Sequence, residues 1–337
     1  MDDRHSERRV WIQICLRLLV VFGVVLCFAL MGVAALALTQ PGGFIVIGLS
    51  ILLGMPFLLS ALAAFLMSPN GDGYGGHYLW APPILVGITL FAGGILINEG
   101  VICIVMLFPL WVPMSIWGSL TVRGWHRKLS AGKRAVSTFD ASLIFVIPIF
   151  FAWVDAYIPQ QTSEYEVRRS VVLDATPADV WPLFLELDDI RKAEGRWNVA
   201  QNVLQIPRPS SAIVAGEGAG AIRQAKWGAD IRFEEHIFDW QDQQAMRWKF
   251  AFPDDSISRY TDRHIEPDGQ HLKIDEGGYR LEALSDGRTR VTLYTRYQAT
   301  TPVNLYAAAW GELILGDIQS NVLSILKSRA SENLYEN

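Results

Sequence analysis

Apolar positions follow two patterns along the 337-residue chain, and the change comes near residue 158. Before it they form long, nearly uninterrupted runs near 18–38, 44–67, 78–97, 101–121 and 141–158. A helix needs about 20 predominantly apolar residues to cross a hydrocarbon core of about 30 Å, so the pattern predicts an all-α bundle of five transmembrane helices. The third run carries Gly93 and Gly94; the fifth is short, contains Pro148 and has Asp155 near its end. Only Asn98, Glu99 and Gly100 separate the third from the fourth, which predicts a tight helical hairpin. Ala35-Leu36-Ala37 resembles a peptidase site, so a cleaved signal peptide competes for the first run. That run is longer than the usual apolar stretch of about 7–15 residues, which favours a retained helix.

Beyond a short linker at 159–164 the apolar residues alternate instead. Tyr165–Leu173 has the β-branched, alternating character of a strand. Thr176 is a helix N-cap, Pro177 suits the first helical position and Asp179 completes a capping box. Val180, Trp181, Phe184 and Leu187 then share one helical face. A second short helix is expected over Asp188–Glu194. Strands follow near Ala219–Trp227, Asp230–Trp240, Ala245–Phe250, His271–Leu284 and Thr289–Thr300, with Asp286-Gly287 as a hairpin turn. Thr301 and Pro302 open a long helix running to Arg329, with an apolar stripe from Val303 through Tyr306, Trp310, Ile314, Ile318 and Val322 to Ile325. The order predicts an α+β domain over 165–331, an antiparallel curved sheet around a long C-terminal helix, and a tail at 332–337.

Charge divides at the same place. Residues 1–158 hold nine Lys/Arg and seven Asp/Glu, a net of +2; residues 159–337 hold 20 and 27, a net of −7. A domain at −7 offers no clustered cations for phosphate, so nucleic acid is disfavoured as a partner. Arg4, Arg8 and Arg9 precede the first run, and Arg123, Arg127, Lys128, Lys133 and Arg134 lie between the fourth and fifth. Five spans put both basic segments in the cytoplasm and the second half outside it. A fifth run lying only in the interface would reverse that side. The expected location is the bacterial inner (plasma) membrane, with a cytoplasmic N-terminus. All three cysteines, Cys15, Cys27 and Cys103, fall in or beside apolar runs, so the second half has no disulfide framework or Cys-based metal site.

Four stretches resemble the START-like superfamily, also called the SRPBCC or polyketide cyclase/dehydrase group. They are Val171-Val-Leu-Asp-Ala-Thr-Pro-Ala-Asp-Val-Trp-Pro-Leu-Phe184; Arg232-Phe-Glu-Glu-His-Ile237; Tyr279-Arg-Leu-Glu-Ala-Leu284 with Gly287 and Arg290-Val-Thr-Leu293; and Val322-Leu-Ser-Ile-Leu-Lys327. The resemblance covers about 165–331, roughly half the chain. It implies a helix-grip fold with a hydrophobic cavity between sheet and terminal helix, used in that superfamily for lipids, sterols, quinones, polyketides or plant hormones, and by some members for cyclisation. The residues themselves agree that a cavity is feasible. Gly311 and Gly316 remove bulk from the gripping helix, for a void or for close backbone contact.

Ligand pockets are mainly apolar with a few placed polar groups. The candidate ligand-binding set is therefore Trp197, Phe233, Glu235, Trp248, Tyr279, Tyr294, Tyr306 and Trp310. Tyr306 and Trp310 stand on the inward stripe, and Trp197 is expected in a loop guarding the mouth. Ile231, Phe233, Glu235 and Ile237 share a strand face, which turns Glu235 toward the core, with Arg280 or Arg296 as its expected partner. A carboxylate there serves as a polar anchor or as the one weak candidate for acid–base catalysis; a structural ion pair is the plainer reading. Asp317, beside the helix stripe, is expected at the surface. His236, His264 and His271 lack metal-site spacing, so no metal or other cofactor is expected. Gly216-Glu-Gly-Ala-Gly-Ala221 precedes a strand, where no helix dipole helps a phosphate, and reads as a turn. Glu99, Asp140 and Asp155 are the acids near spans. The expected function is a membrane-anchored protein binding an apolar small molecule or lipid, with membrane lipids as partners. A cyclase- or dehydrase-like enzyme and a regulatory or assembly domain are the alternatives.

Overall fold

A computed structural model describes residues 19–20, 23, 48–67, 77–97, 101–130, 138–157, 160–191, 194–254, 256–257, 260 and 266–336. The chain divides into two compact units, Met1–Gln160 and Gln161–Asn337. Nearly all of the first apolar run lies outside the described residues, as do the Asn98–Gly100 turn and His264.

In the first unit, a π-helical turn at Ser50–Gly54 leads into α1 (Met55–Met67). Helices α2 (His77–Ile97), α3 (Val101–Ser130) and α4 (Thr138–Tyr157) follow. Helix α3 runs nine residues beyond the 101–121 expected for its apolar run. Among the described residues two helices are long and apolar enough to cross a membrane, Ser50–Met67 and Ile102–Arg127, with shorter apolar helices at Leu79–Ala92 and Val146–Tyr157. Small residues let α1 and α3 approach closely: Ser60 Oγ donates to the Ser115 carbonyl at 2.6 Å, and a side chain on Gly118 would collide with the Phe57 carbonyl. Asp155 is fully engaged. Its Oδ1 accepts from Leu49 N at 2.7 Å, and its Oδ2 accepts from Ser50 N and Ser50 Oγ at 2.8 and 2.6 Å. The carboxylate of α4 thus satisfies orphan amides where the Ser50 helix begins.

The second unit opens with β1 (Thr162–Leu173), three residues earlier than the sequence pattern predicts. Helices α5 (Pro177–Val180) and α6 (Pro182–Leu185) follow, then β2 (Glu186–Leu187) and α7 (Val199–Asn202). Strands β3 (Pro209–Ala215), β4 (Ile222–Trp227), β5 (Ile231–Gln241), β6 (Ala245–Ala251), β7 (Leu272–Ala283) and β8 (Thr289–Thr300) lead to α8 (Asn304–Glu336). The eight strands form one antiparallel sheet in the order β1-β8-β7-β6-β5-β4-β3-β2. With the long C-terminal helix on it, this is the helix-grip arrangement.

Thr176 makes the expected capping box with Asp179. The helix expected over Asp188–Glu194 is not formed at its described residues, Asp188–Arg191 and Glu194. Asp189 has a positive φ of 47°, and the carbonyls of Asp188 and Asp189 accept from Arg329 Nη2 instead of from a next helical turn. A helical turn comes later, at α7, capped by Asn198. Thr301 and Pro302 precede the terminal helix without belonging to it. Thr301 N donates to Asn304 Oδ1 at 2.8 Å, and the helix starts at Asn304.

One row of register partners crosses five strands: Val167, Thr295, Gly277, Trp248 and Ile237. Helix α8 lies on this face, since Gln319 Nε2 donates to the Val167 carbonyl and to Thr295 Oγ1 at 3.1 and 3.0 Å. It fits because two of its residues lack side chains. A Cβ at Gly311 would collide with the Tyr297 hydroxyl, and one at Gly316 with the Arg169 guanidinium. These glycines serve close helix–sheet contact and leave no void.

Candidate functional site

The face that carries α8 is not evenly covered. The main core joins Leu323, Ile325 and Leu326 of α8 to Phe184, Leu187, Met246, Trp248 and Tyr279. A second cluster pairs Val167, Tyr297 and Ala299 with Ala307 and Leu315 of α8. A third consists of Ala225, Ile231 and Phe233 with half-buried Trp227, Phe250, Phe252 and Ile257 around it, and no α8 residue belongs to it. Strands β4, β5 and β6 therefore present an aromatic wall on the helix-bearing side with no helix packed on it among the described residues. Phe233 lies 5.6 Å from Trp227, 6.1 Å from Phe250 and 6.0 Å from Phe252 between ring centroids.

A charged pair sits beside this wall. Arg223 of β4 and Glu235 of β5 are direct register partners, both turned inward and 4% and 5% exposed. Arg223 Nη1 donates to Glu235 Oε2 at 2.6 Å. The guanidinium carbon also lies 5.8 Å from the Trp248 ring centroid and 5.5 Å from that of Tyr279, within cation–π range. Burial pushes the Glu235 carboxyl above the ordinary carboxylate range, against the pull of Arg223. Arg223 moves upward: burial opposes its charge, and the attraction of Glu235 outweighs that. Burial likewise raises the Tyr279 hydroxyl. Arg223 Nε and Trp248 Nε1 have no hydrogen-bond partner among the described residues. Two buried donors left unsatisfied cost stability, on the order of 1–3 kcal/mol each.

The sequence-derived candidates separate into four places. Glu235, Trp248 and Tyr279 come together around Arg223, and Phe233 lies in the neighbouring wall. Trp248 lies flat across Gly277, where a Cβ would stand 2.8 Å from its indole nitrogen. Tyr279 stacks on Phe184 with centroids 4.2 Å apart and planes 5° from parallel. Tyr306 and Trp310 are half-buried on α8 and meet edge to face at 6.4 Å.

Tyr294 belongs elsewhere. It is offset by one residue from the inward Leu293 and Thr295, so it stands on the opposite face of the sheet. There its hydroxyl donates to Glu276 Oε1 at 2.8 Å and accepts from Arg247 Nε at 3.1 Å. Trp197 is 66% exposed and lines no interior.

The partner of Glu235 also differs from expectation. Arg296 bonds Glu166 and Glu276 on the outer face, and Arg280 is exposed. The sequence signal for Arg223 was its place between the inward alanines Ala221 and Ala225, at strand spacing. Asp317, expected at the surface, is half-buried and accepts from Val199 N and Ala200 N at 2.8 and 3.0 Å.

No family model matches the chain, and no curated protein does. Similar solved structures do exist. One is the Zhui aromatase/cyclase from Streptomyces sp. R1128, 13% identical, covering 51% of this chain and 96% of its own, with a TM-score of 0.32. A second is norcoclaurine synthase from Thalictrum flavum, 9% identical over 52% of this chain and 98% of its own, TM-score 0.33. A third is a protein of Thermus thermophilus, 22% identical over 51% and 99%, TM-score 0.31. The described residues contain no group of three or more His, Cys, Asp or Glu side chains arranged to hold a metal ion.

Proposed function

We propose that the second unit binds a hydrophobic small molecule between the β4–β6 aromatic wall and the N-terminal half of α8, and that the first unit holds it at a membrane. The observation that carries this reading is the Phe233 wall on the gripped face of the sheet, with no α8 residue packed on it. Aromatic walls with a few convergent polar groups are the usual make-up of small-molecule sites. Here the polar group is the Arg223–Glu235 pair. The two long apolar helices, Ser50–Met67 and Ile102–Arg127, support the anchoring half of the proposal. The domain is read as START-like, with membrane lipids and one apolar ligand as partners.

Native mass spectrometry of the purified full chain tests the reading. A stoichiometric apolar molecule is expected, and Phe233→Ala should reduce its occupancy. A chain that releases no bound molecule and takes up none of a lipid and quinone panel sinks the idea.

A cyclase- or dehydrase-like reaction is the second reading, favoured by the raised Glu235 carboxyl beside Tyr279. Glu235→Gln should then abolish turnover of the captured molecule while leaving its binding in place. Unchanged turnover removes Glu235 from the chemistry.

A further inference from the structure

Helix α8 has a bare apolar edge. Leu305, Ala309 and Leu313 recur at four-residue spacing on its exposed side, with Leu305 84% and Leu313 38% exposed. Glu312 interrupts the edge, but its charge is matched by Arg169 Nη1 at 2.7 Å. One turn beyond Leu313, Asp317 and Asn321 hold a loop against the helix. Asp317 takes two amides of α7, and Asn321 Oδ1 accepts from Arg196 N at 2.8 Å. Arg208 adds bonds to the Arg196 carbonyl and Asn202 Oδ1 at 3.1 and 2.9 Å.

All this bonding holds Trp197 out in the open, at 66% exposure. A rigidly held, exposed tryptophan is not explained by the core beneath it. Its neighbour Arg196 is exposed, and its guanidinium has no ion pair among the described residues.

The edge begins where the chain enters the unit. Asn304 Nδ2 donates to the Gln161 carbonyl at 2.6 Å and to Ser163 Oγ at 2.9 Å. The apolar helix α4 ends at Tyr157, only four residues before Gln161. At about 3.5 Å per residue, that connection reaches roughly 14 Å.

We propose that Leu305, Ala309, Leu313 and Trp197 lie in the interfacial layer of a lipid bilayer, with Arg196 against lipid phosphate. The inference rests on the membrane-anchored reading above. An amphipathic helix edge with aromatic and basic residues at its margin is the composition that partitions into that layer. Tryptophan suits it because its ring is apolar and its N–H stays wet. Asn304, at the start of the edge, is tied to Gln161, four residues after the apolar helix α4, and that continuity with the proposed anchor selects a bilayer over a second copy of this unit.

The test uses the full chain in vesicles of phosphatidylethanolamine and phosphatidylglycerol, with Cys15, Cys27 and Cys103 changed to serine. Single nitroxide labels go on Leu305→Cys, Leu313→Cys, Ile149→Cys in α4 and Asp242→Cys in the distant β5–β6 turn. Power saturation then compares access to oxygen, which concentrates in lipid, with access to a water-soluble nickel chelate.

Labels at 305 and 313 should match 149, with oxygen access several-fold above that of 242. If 149 is in lipid but 305 and 313 behave as 242 does, the proposal is overturned and the anchor stands. Labels at 305 and 313 shielded from both reagents mean that protein covers the edge, which also overturns it. A water-exposed label at 149 overturns the anchor and the proposal together.

Discussion

Arg223 and Glu235 are opposed across β4 and β5 with almost no solvent at either, so each is the main compensation for the other's buried charge. Truncating one partner should be far worse than replacing both. Arg223→Ala leaves an unpaired buried carboxylate and is expected to cost about 3–5 kcal/mol. The double change Arg223→Met with Glu235→Leu should recover most of that loss, because apolar side chains of similar size suit the surrounding Trp248 and Tyr279 rings. Chemical denaturation of the full chain in detergent, followed by near-ultraviolet circular dichroism, measures both. Equal loss in the single and double variants would show that the pair specifies the fold beyond its charge balance. The inward turn of Glu235 was legible from the alternation Ile231, Phe233, Glu235, Ile237. Its partner was not, because a cross-strand neighbour depends on register, and nothing local in the sequence of β4 fixes which residue faces Glu235.

Glycine in a helix is worse than alanine by about 1 kcal/mol on intrinsic grounds, so Gly311→Ala ought to stabilise α8 if nothing else touched it. The Tyr297 hydroxyl occupies that space, and overpacking of this kind costs about 1–3 kcal/mol. Gly311→Ala is therefore expected to lower the thermal midpoint, and adding Tyr297→Phe should restore it. Failure of the second change to rescue the first would place the clash elsewhere.

On the outer face of the sheet, Glu276 is the hub for Arg247, Tyr294 and Arg296. Burial works against its ionisation, but the hydrogen bonds from Arg247 and Tyr294 prevail and hold it below the usual carboxylate range. A carboxyl lowered in the folded state contributes stability that is present above its unfolded value, near 4.3, and lost as pH falls through the folded one. Glu276→Gln should lower the thermal midpoint at neutral pH and flatten its decline below about pH 4. An unchanged acid limb would assign that decline to other carboxylates.

Elements of this kind were partly legible. Period-two alternation located β1 and β4 to β8, and the capping box at Thr176 marked the start of α5. The pattern missed β3 and the two-residue β2, and it mistook 188–194 for a helix. Arg329, more than 130 residues away, decides that segment by taking its carbonyls, and no local pattern carries such a contact.

At the scale of the whole chain, the change from continuous apolar runs to alternation near residue 158 falls beside the division into Met1–Gln160 and Gln161–Asn337. The pattern changes because burial in apolar surroundings and burial of one sheet face need different hydrophobic periods. It does not say which helices cross a bilayer, since a buried core helix has the same composition. Each unit has a buried core of its own: Leu59, Ala63, Val86 and Trp111 in the first, and the Trp248 and Phe233 groups in the second. Units with separate cores are expected to unfold as separate cooperative transitions. Heating the full chain in detergent should therefore give two steps, one in the helical signal dominated by the first unit and one in the β-sheet signal of the second. Arg223→Ala should move only the second step. A captured apolar ligand should also raise only that step, by about 2.7 kcal/mol at a hundredfold excess over its dissociation constant. A single transition shifted as a whole by either perturbation would mean that the two units fold as one, with the ligand-binding face coupled to the helices that precede it.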